Sequence, residues 1–456
     1  MRFALSIFLP TLLLFSFLSC QRQGGSEFTI PATYYTLENG LRVVLSEDHT
    51  SPTVGIGVYY NIGFRLEPRD RTGFAHLFEH MMFQGSGNLG KMEFIKLVQK
   101  NGGILNGSTR FDFTNYYQVV PSHKLETILW AEADRMRGLD ITQENLTNQQ
   151  GVVMNEVKVN VLNQPYGGFP WLDLPQAAFV NWYNAHNFYG ELGDLKAATL
   201  EDVRAFFKTY YAPNNAVLAV VGDFDAGAAR GMIQKYFGSI PRVDQPAKPD
   251  LQEPRQESRR RVTRTDSLAT KPALAFGYQM PPRFTPEYFA MGLIDQILLQ
   301  GDDARLRDAL VKQRGWTESV SGGVNADLGN MFNYSGPMLW SASLIHDQSV
   351  APEEIIAVVD SVTGTLVSAP VDRQTLNRAR VKFRSRFYDI IGEMVGLGKL
   401  DLLASFALFD SDPSKVNAID REIGDVTPEL IQKTAQEYLR PTNQTVVALT
   451  VKTDSR

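Results

Sequence analysis

One cysteine in 456 residues, Cys20, and six histidines leave little from which to build a cross-link or a metal site. A single thiol excludes an internal disulfide and every cysteine-rich zinc cluster, so histidine and carboxylate remain as the protein ligands for a metal. Charge of one sign is lacking too: 45 Lys and Arg stand against 50 Asp and Glu. A net charge of −5 gives no electrostatic footprint for nucleic acid or for an anionic membrane surface. Beyond the N-terminus no apolar run reaches the roughly 20 residues that a spanning helix needs. What is plentiful is ordinary. Apolar residues make up 43% and charged residues 21%, with 36 Gly and 23 Pro dispersed along the chain, which fits a globular protein of about three domains, two to four being reasonable.

The N-terminus departs from that pattern. Arg2 precedes a mostly apolar run from Phe3 to Leu18, interrupted by Pro10, then Ser19, Cys20 and polar Gln21-Arg22-Gln23. The run is short for a spanning helix but suits the apolar region of a signal peptide. Phe17-Leu18-Ser19-Cys20 resembles the bacterial lipobox, with Phe17 in place of the usual aliphatic residue. The expectation is removal of residues 1–19, lipidation of Cys20 and a flexible tether over 20–30. That places the protein in the cell envelope, periplasm-facing, with the membrane reached through a lipid anchor; cleavage as an ordinary secreted protein is the alternative.

From Arg242 to Asp266 three prolines and many charges interrupt the apolar patterning, which predicts a linker over 242–262 between halves 31–241 and 263–456. The halves repeat. Thr199, Glu201, Tyr210, Pro213 and Asn215 recur as Thr427, Glu429, Tyr438, Pro441 and Asn443 at one offset of 228, and Leu77, Gln84 and Gly85 recur as Leu293, Gln300 and Gly301 at an offset of 216. Duplication follows. Within the first half, 41–45, 54–62 and a segment from Ile104 read as strands; 72–84, 92–100, 122–137 and 143–162 read as helices. Strands separated from runs of helices predict an α+β fold.

His76-Leu77-Phe78-Glu79-His80 puts two of the six histidines in one window. On a helix the i, i+3 and i+4 positions share a face, so both imidazoles and the carboxylate project together. Chance would supply roughly 0.004 such windows in this composition. Catalytic zinc takes three protein ligands, and the helical stretch 143–162 offers Glu144 or Glu156 as the third.

With Val152-Val153-x-Asn155-Glu156 the chain resembles the pitrilysin and insulinase family of zinc peptidases, the inverzincins, in a short two-domain bacterial form. The resemblance covers nearly the whole chain after the leader. It extends through Gly102-Gly103-x-x-Asn106, with Thr109, Asp112, Thr114 and Tyr116, then Ala133-Asp134-Arg135-Met136 and Tyr211-x-Pro213-Asn214-Asn215-Ala216. It implies two homologous α/β-sandwich domains forming half of a clam-shell. It also implies one Zn²⁺ per chain on His76, His80 and Glu156, Glu79 as general base, and a peptide added as a strand near Asn106, Gly107 and Ser108.

Three departures stand out. Gln149 occupies a place where relatives carry a second glutamate supporting a ligand histidine. Gly107 replaces a common alanine. The second half aligns Gly292, Asp295 and Gln296 with His76, Glu79 and His80, so that copy holds no zinc by the same residues. The stretch 310–317 has no tyrosine, and its Arg314 is not at the family's arginine position, which points to a homologous partner subunit, or a homodimer, to complete the substrate clamp. Arg305 and Arg307 read as solvated helix charges. The leading expectation is a metallopeptidase acting on short or unfolded peptides; the competing ones are a non-catalytic assembly subunit and a lipid-anchored binding protein with a structural metal.

Overall fold

The computed structural model describes residues 28–326 and 328–452; the leader 1–19, Cys20 and the tether as far as residue 27 lie outside the described residues. The first sheet contains β1 (Thr33–Thr36), β2 (Arg42–Glu47), β3 (Thr53–Tyr60), β4 (Ile104–Thr109), β5 (Thr114–Pro121) and β6 (Ala216–Gly222), in the order β1-β2-β6-β3-β5-β4. The second contains β7 (Arg260–Asp266), β8 (Ala273–Gln279), β9 (Ser321–Val324), β10 (Leu339–Ile345) and β11 (Gln444–Val451), in the order β7-β11-β8-β10-β9. Leaving β1 aside, the orders coincide. In each sheet the first pair is parallel and the other three are antiparallel.

The repeated residues do the same work twice. Thr199 caps the helix Leu200–Tyr210 and Thr427 caps Pro428–Tyr438, each hydroxyl accepting a backbone N–H at the helix start, the orphan-donor role of an N-cap. Asn215 and Asn443, both buried, donate Nδ2 to the carbonyls of Tyr210 and Tyr438 at 2.9 and 2.7 Å. Each asparagine thus fastens the turn between helix and central strand.

Both sheets are apolar on both faces, so strand alternation feeds two cores. On β6, Leu218 and Val220 pack among the helices of the first half, whereas Val217, Ala219 and Val221 join a core dominated by the second half. Their cover there is the helix Leu397–Asp410, which lies over β2, β3 and β6. In return the helix Asp173–Ala178 of the first half lies over β7, β8 and β11, with Phe169, Leu174 and Phe179 against Ala273, Ala275, Val447 and Leu449. The offset of 228 relates these two helices as well, matching Asp173 to Asp401. Each meets a glycine: a Cβ on Gly57 would sit 2.8 Å from Leu400 Cδ2, and one on Gly277 would sit 3.1 Å from Leu174 Cδ2.

The expected boundary is thereby corrected in detail. β7 begins at Arg260, inside the expected linker 242–262, and residues 166–179 of the first half pack as part of the second. The linker is also tied down, the Glu253 carboxylate accepting the N–H groups of Val180 and Asn181, both at 3.0 Å. The predicted helix 72–84 is shorter, Phe74–Met81, while 143–162 is an α-helix, Gln143–Val157, continued by a π-helical turn, Lys158–Leu162. Among the described residues no single helix is long and apolar enough to cross a membrane.

In the second copy, Asp295 is buried, accepting from Trp340 Nε1 at 2.8 Å and Gln300 Nε2 at 3.2 Å, and burial pushes its carboxyl up to about 6. An acid whose pKa rises on folding favours the fold at low pH and loses that contribution as pH climbs through the folded value. Asp295→Asn keeps an oxygen for Trp340, and the neighbouring glutamine amides can turn to suit it. The variant is expected to gain on the order of 1–2 kcal/mol over the parent at pH 7.5, with the gain absent below about pH 4; thermal melts from pH 4 to 8 measure the difference.

Candidate metal centre

The helix Phe74–Met81 is seated by burial of Phe74, Ala75, Leu77, Phe78 and Met81 against the first sheet and its neighbouring helices. It begins after Gly73, whose φ of +80° and close approach to Tyr189 O leave no room for a side chain; only glycine takes that backbone readily. The buried Glu67 carboxylate caps the helix, accepting the N–H of Gly73 at 2.8 Å and of Ala75 at 2.6 Å, an anion at the positive end of the helix dipole. His186, 3.5 Å from Glu67 and stacked on Trp182, backs this cap.

The cap holds the other face of the helix over the helix Gln143–Val157. Glu156 Oε2 lies 3.3 Å from His80 Nε2 and 3.7 Å from His76 Nε2, and one ligand atom from each of the three residues falls within 4.8 Å of the others. Zinc with N and O ligands at about 2.0–2.2 Å in tetrahedral directions spaces its donors by about 3.3–3.6 Å, so two imidazole nitrogens and a carboxylate oxygen fit it in kind, and the two histidine–Glu156 distances are close to that spacing. Of the two carboxylates expected as third ligand, Glu156 is in place; Glu144, at the start of the same helix, is not in the cluster.

Electrostatics prepare these groups. Burial, reinforced by His80, pushes His76 down to about 4, leaving its nitrogens neutral and available as donors near neutral pH. A hydrogen bond with His80 holds the Glu156 carboxyl below the ordinary carboxylate range. Burial raises Glu79, with Thr109 opposing it. Glu79 lies against the outer strand β4, its Cγ 3.2 Å from where a Cβ on Gly107 would stand. Gly107 therefore faces the metal helix. Asn106 and Ser108 face the other way: Ser108 Oγ donates to Asn115 Oδ1 at 2.6 Å, and Asn106 Oδ1 accepts the Gly107 N–H at 3.0 Å.

One expected support takes a different form. Gln149 is buried on the helix Gln143–Val157, but its Nε2 donates to Asn148 Oδ1 at 2.7 Å, and His76 Nδ1 is buried without a hydrogen-bond partner. The neutral amide finds its own neighbour, so the partner expected for a ligand histidine is not supplied from there. The candidate ligand that does receive support is Glu156, whose Oε1 accepts from Tyr189 OH at 3.2 Å. Tyr189 stands among an aromatic group (Trp171, Phe188) packed on His76, and neither it nor Glu67 has a spacing signal in the sequence. Arg314, weighed for the substrate clamp, donates instead to Ala309 O at 3.0 Å within its own turn.

A His-x-x-Glu-His helix, a carboxylate from a second helix and the edge strand β4 beside them make up a candidate metal centre. Comparison with known proteins agrees. Residues 42–166 match the model of the insulinase family, peptidase family M16, and residues 197–382 match that of the peptidase M16 inactive domain. The chain belongs to this family. It is 26% identical over 425 residues to the zinc protease PqqE of Helicobacter pylori, covering 91% of each chain, and 27% identical over 224 residues to the mitochondrial-processing peptidase subunit beta of Caenorhabditis elegans, covering 49% of this chain and 48% of the other. Among solved structures, a protease from Helicobacter pylori superposes with a TM-score of 0.85 at 23% identity, over 93% of this chain and all of that one. The periplasmic protease PqqL of Escherichia coli superposes with a TM-score of 0.75 at 15% identity, over 93% of this chain but 48% of the longer one.

Because Tyr189 donates to the candidate ligand Glu156 without being in the cluster itself, Tyr189→Phe is expected to weaken zinc affinity by roughly tenfold while leaving the fold intact. Competition against a chelator of known affinity, alongside a melting curve, measures both.

Proposed function

We propose that this chain is a zinc-dependent endopeptidase of the cell envelope, hydrolysing short or unfolded peptides laid along β4. The observation that carries this reading is the meeting of His76, His80 and Glu156 donor atoms within 4.8 Å, with Glu79 beside them against the sheet edge at Gly107. A zinc ion held by those three residues supplies a Lewis acid for the scissile carbonyl and acidifies water at the site. Glu79 takes the proton from the attacking water and later gives it to the leaving amine; the upward pull of burial suits it to keep that proton between the two steps. Backbone groups around Asn106, Gly107 and Ser108 hold the peptide as an added strand, a mode that tolerates many sequences because its bonds are main-chain bonds. The second half, with Gly292, Asp295 and Gln296 at the corresponding places, serves as scaffold and as a wall of the substrate chamber.

The relatives' names support zinc and proteolysis, and the periplasmic placement of PqqL supports an exported chain; anchoring through Cys20 rests on Phe17-Leu18-Ser19-Cys20 alone. Matching about half of PqqL supports a second module, from a homologous subunit or a second copy, closing over the metal centre.

Glu79→Gln removes the base and no ligand, so it is expected to keep one zinc per chain and the parent melting temperature while losing at least a hundredfold in peptide hydrolysis. Activity within about tenfold of the parent would overturn the role. On a quenched peptide library the chain alone is expected to be slow, gaining on the order of a hundredfold with a homologous partner, because preorganised clamping groups contribute about that much. Solution mass is read in parallel. Full activity from a strict monomer would refute the pairing, and a zinc-loaded protein inert in every combination would make the chain a binding subunit.

A further inference from the structure

The junction face of the first sheet is incompletely covered. The helix Leu397–Asp410 shields β2, β3 and β6, and beyond it, under β4 and β5, lies a cavity of about 390 Å³ whose lining includes Ser108, Arg110, Asn115 and Tyr117 of the sheet edge and Glu393 and Asp401 of the second half. Its position follows from alternation. Gly107 faces Glu79, whereas Ser108 and Arg110 share the opposite face, Arg110 Nε donating to Ser108 Oγ at 3.2 Å. A peptide strand added to β4 would send alternate side chains to these same two faces, about 4.7–4.9 Å from the β4 backbone. Residues on one face would meet the metal centre, and those on the other would enter the cavity.

Arg110 is the one cation of that lining, which it shares with two carboxylates, the exposed Glu393 and Asp401. The Arg110 backbone is fixed on both sides, the N–H donating to Phe113 O at 2.8 Å and the carbonyl accepting from Phe64 N at 3.2 Å. Among the described residues no carboxylate comes within 4.0 Å of its guanidinium, which is half-buried. Asp401, also on the cavity lining, makes its hydrogen bonds elsewhere, accepting from Tyr59 OH at 3.1 Å and from Asn333 Nδ2 at 3.3 Å; burial raises its carboxyl, and Tyr59 and the charge of Arg110 oppose that rise without a direct pair. Tyr59 belongs to β3, two strands inward from the edge, so an entering side chain passes Arg110 before it nears Asp401.

We propose that Arg110 is a specificity-determining residue that selects peptides carrying Asp or Glu at the position beside it, on the face turned away from the metal helix. The selected position lies about 10 Å, or three residues, from the one beside Gly107, since a strand advances about 3.3 Å per residue. This rests on the reading of β4 as the substrate edge. It adds a charge preference to a binding mode that by itself is indifferent to side chains.

The test separates binding from hydrolysis. In zinc-loaded Glu79→Gln protein, a set of ten-residue labelled peptides with Glu, Gln or Lys stepped through every position is titrated by fluorescence polarisation. At one position Glu is expected to bind roughly three- to tenfold more tightly than Lys, the range that two opposite changes of a cross-strand charge pair give, with the difference shrinking in high salt. Adding Arg110→Gln should abolish the preference, and adding Arg110→Glu should invert it; inversion is a result that a purely structural arginine would not produce. Equal binding of Glu and Lys peptides at every position, a preference unmoved by either Arg110 substitution, or no peptide binding at all overturns the proposal. Inactivity of the parent protein toward peptides that bind with this preference would instead overturn the hydrolase reading alone.

Discussion

A sheet that is apolar on both sides must be covered on both, and here each half covers one face of its own sheet while the other half supplies the second cover. The helices Asp173–Ala178 and Leu397–Asp410 are related by the repeat offset, yet each crosses to the opposite sheet. The second is buried on every side, with Leu400, Leu402, Leu403, Phe406 and Leu408 pointing all round it, as expected of a helix wedged between a sheet and other helices. Polar ties follow the same route. Arg65, fully buried, donates to Pro337 O at 2.7 Å and pairs with Asp112 at 3.4 Å, while Asp112 also accepts the N–H of Ser335 at 2.7 Å. The two halves are consequently one cooperative body, although their sheets are separate.

That exchange also decides where chemistry can occur. The helix Phe74–Met81 is anchored on the face its own half covers, by a buried apolar stripe and by the Glu67 cap, so its candidate ligands are positioned by rigid elements and not by loops. The crossing helix stops short of β4 and β5. The edge strand next to Glu79 therefore keeps one side toward the metal centre and the other toward an open space between the halves. In the second copy the matching helix Pro286–Leu298 is buried from Tyr288 onward, and Asp295 is spent on Trp340 and Gln300. The two halves are similar frames, and among the described residues a candidate ligand set stands in the first.

Much of this was legible before any coordinates. The i, i+3, i+4 spacing of His76, Glu79 and His80 needs only a helix to become a face, and the helical stretch bearing Glu156 was long and regular. The Tyr-x-x-Pro-x-Asn repeat reads as duplication because Asn215 and Asn443 perform a local job that local sequence encodes. What stayed hidden depends on contacts between distant segments. Tyr189 reaches Glu156 across 33 residues, His186 and Glu67 meet from opposite ends of a long stretch of helices and strands, and nothing in Asp173-Leu174-Pro175 announces that it packs beneath a strand a hundred residues further on. The linker misled for a related reason: proline and charge mark irregular backbone, but they do not tell where packing changes hands.

The crossing helix also sets an order of events during synthesis. β6, the strand at the centre of the first sheet, ends at Gly222, but the helix that shields its second face begins at Leu397, about 175 residues later, which at ordinary elongation rates of 5–20 residues per second is on the order of 10–35 s. Until then Val217, Ala219 and Val221 have no native neighbour on that side. The first half cannot finish as an independent unit, however complete its metal ligands are. An emerging or translocating chain must pass through a stage with an exposed greasy sheet, and it is during that interval that a holding chaperone, or a fault in one, would leave its mark on yield.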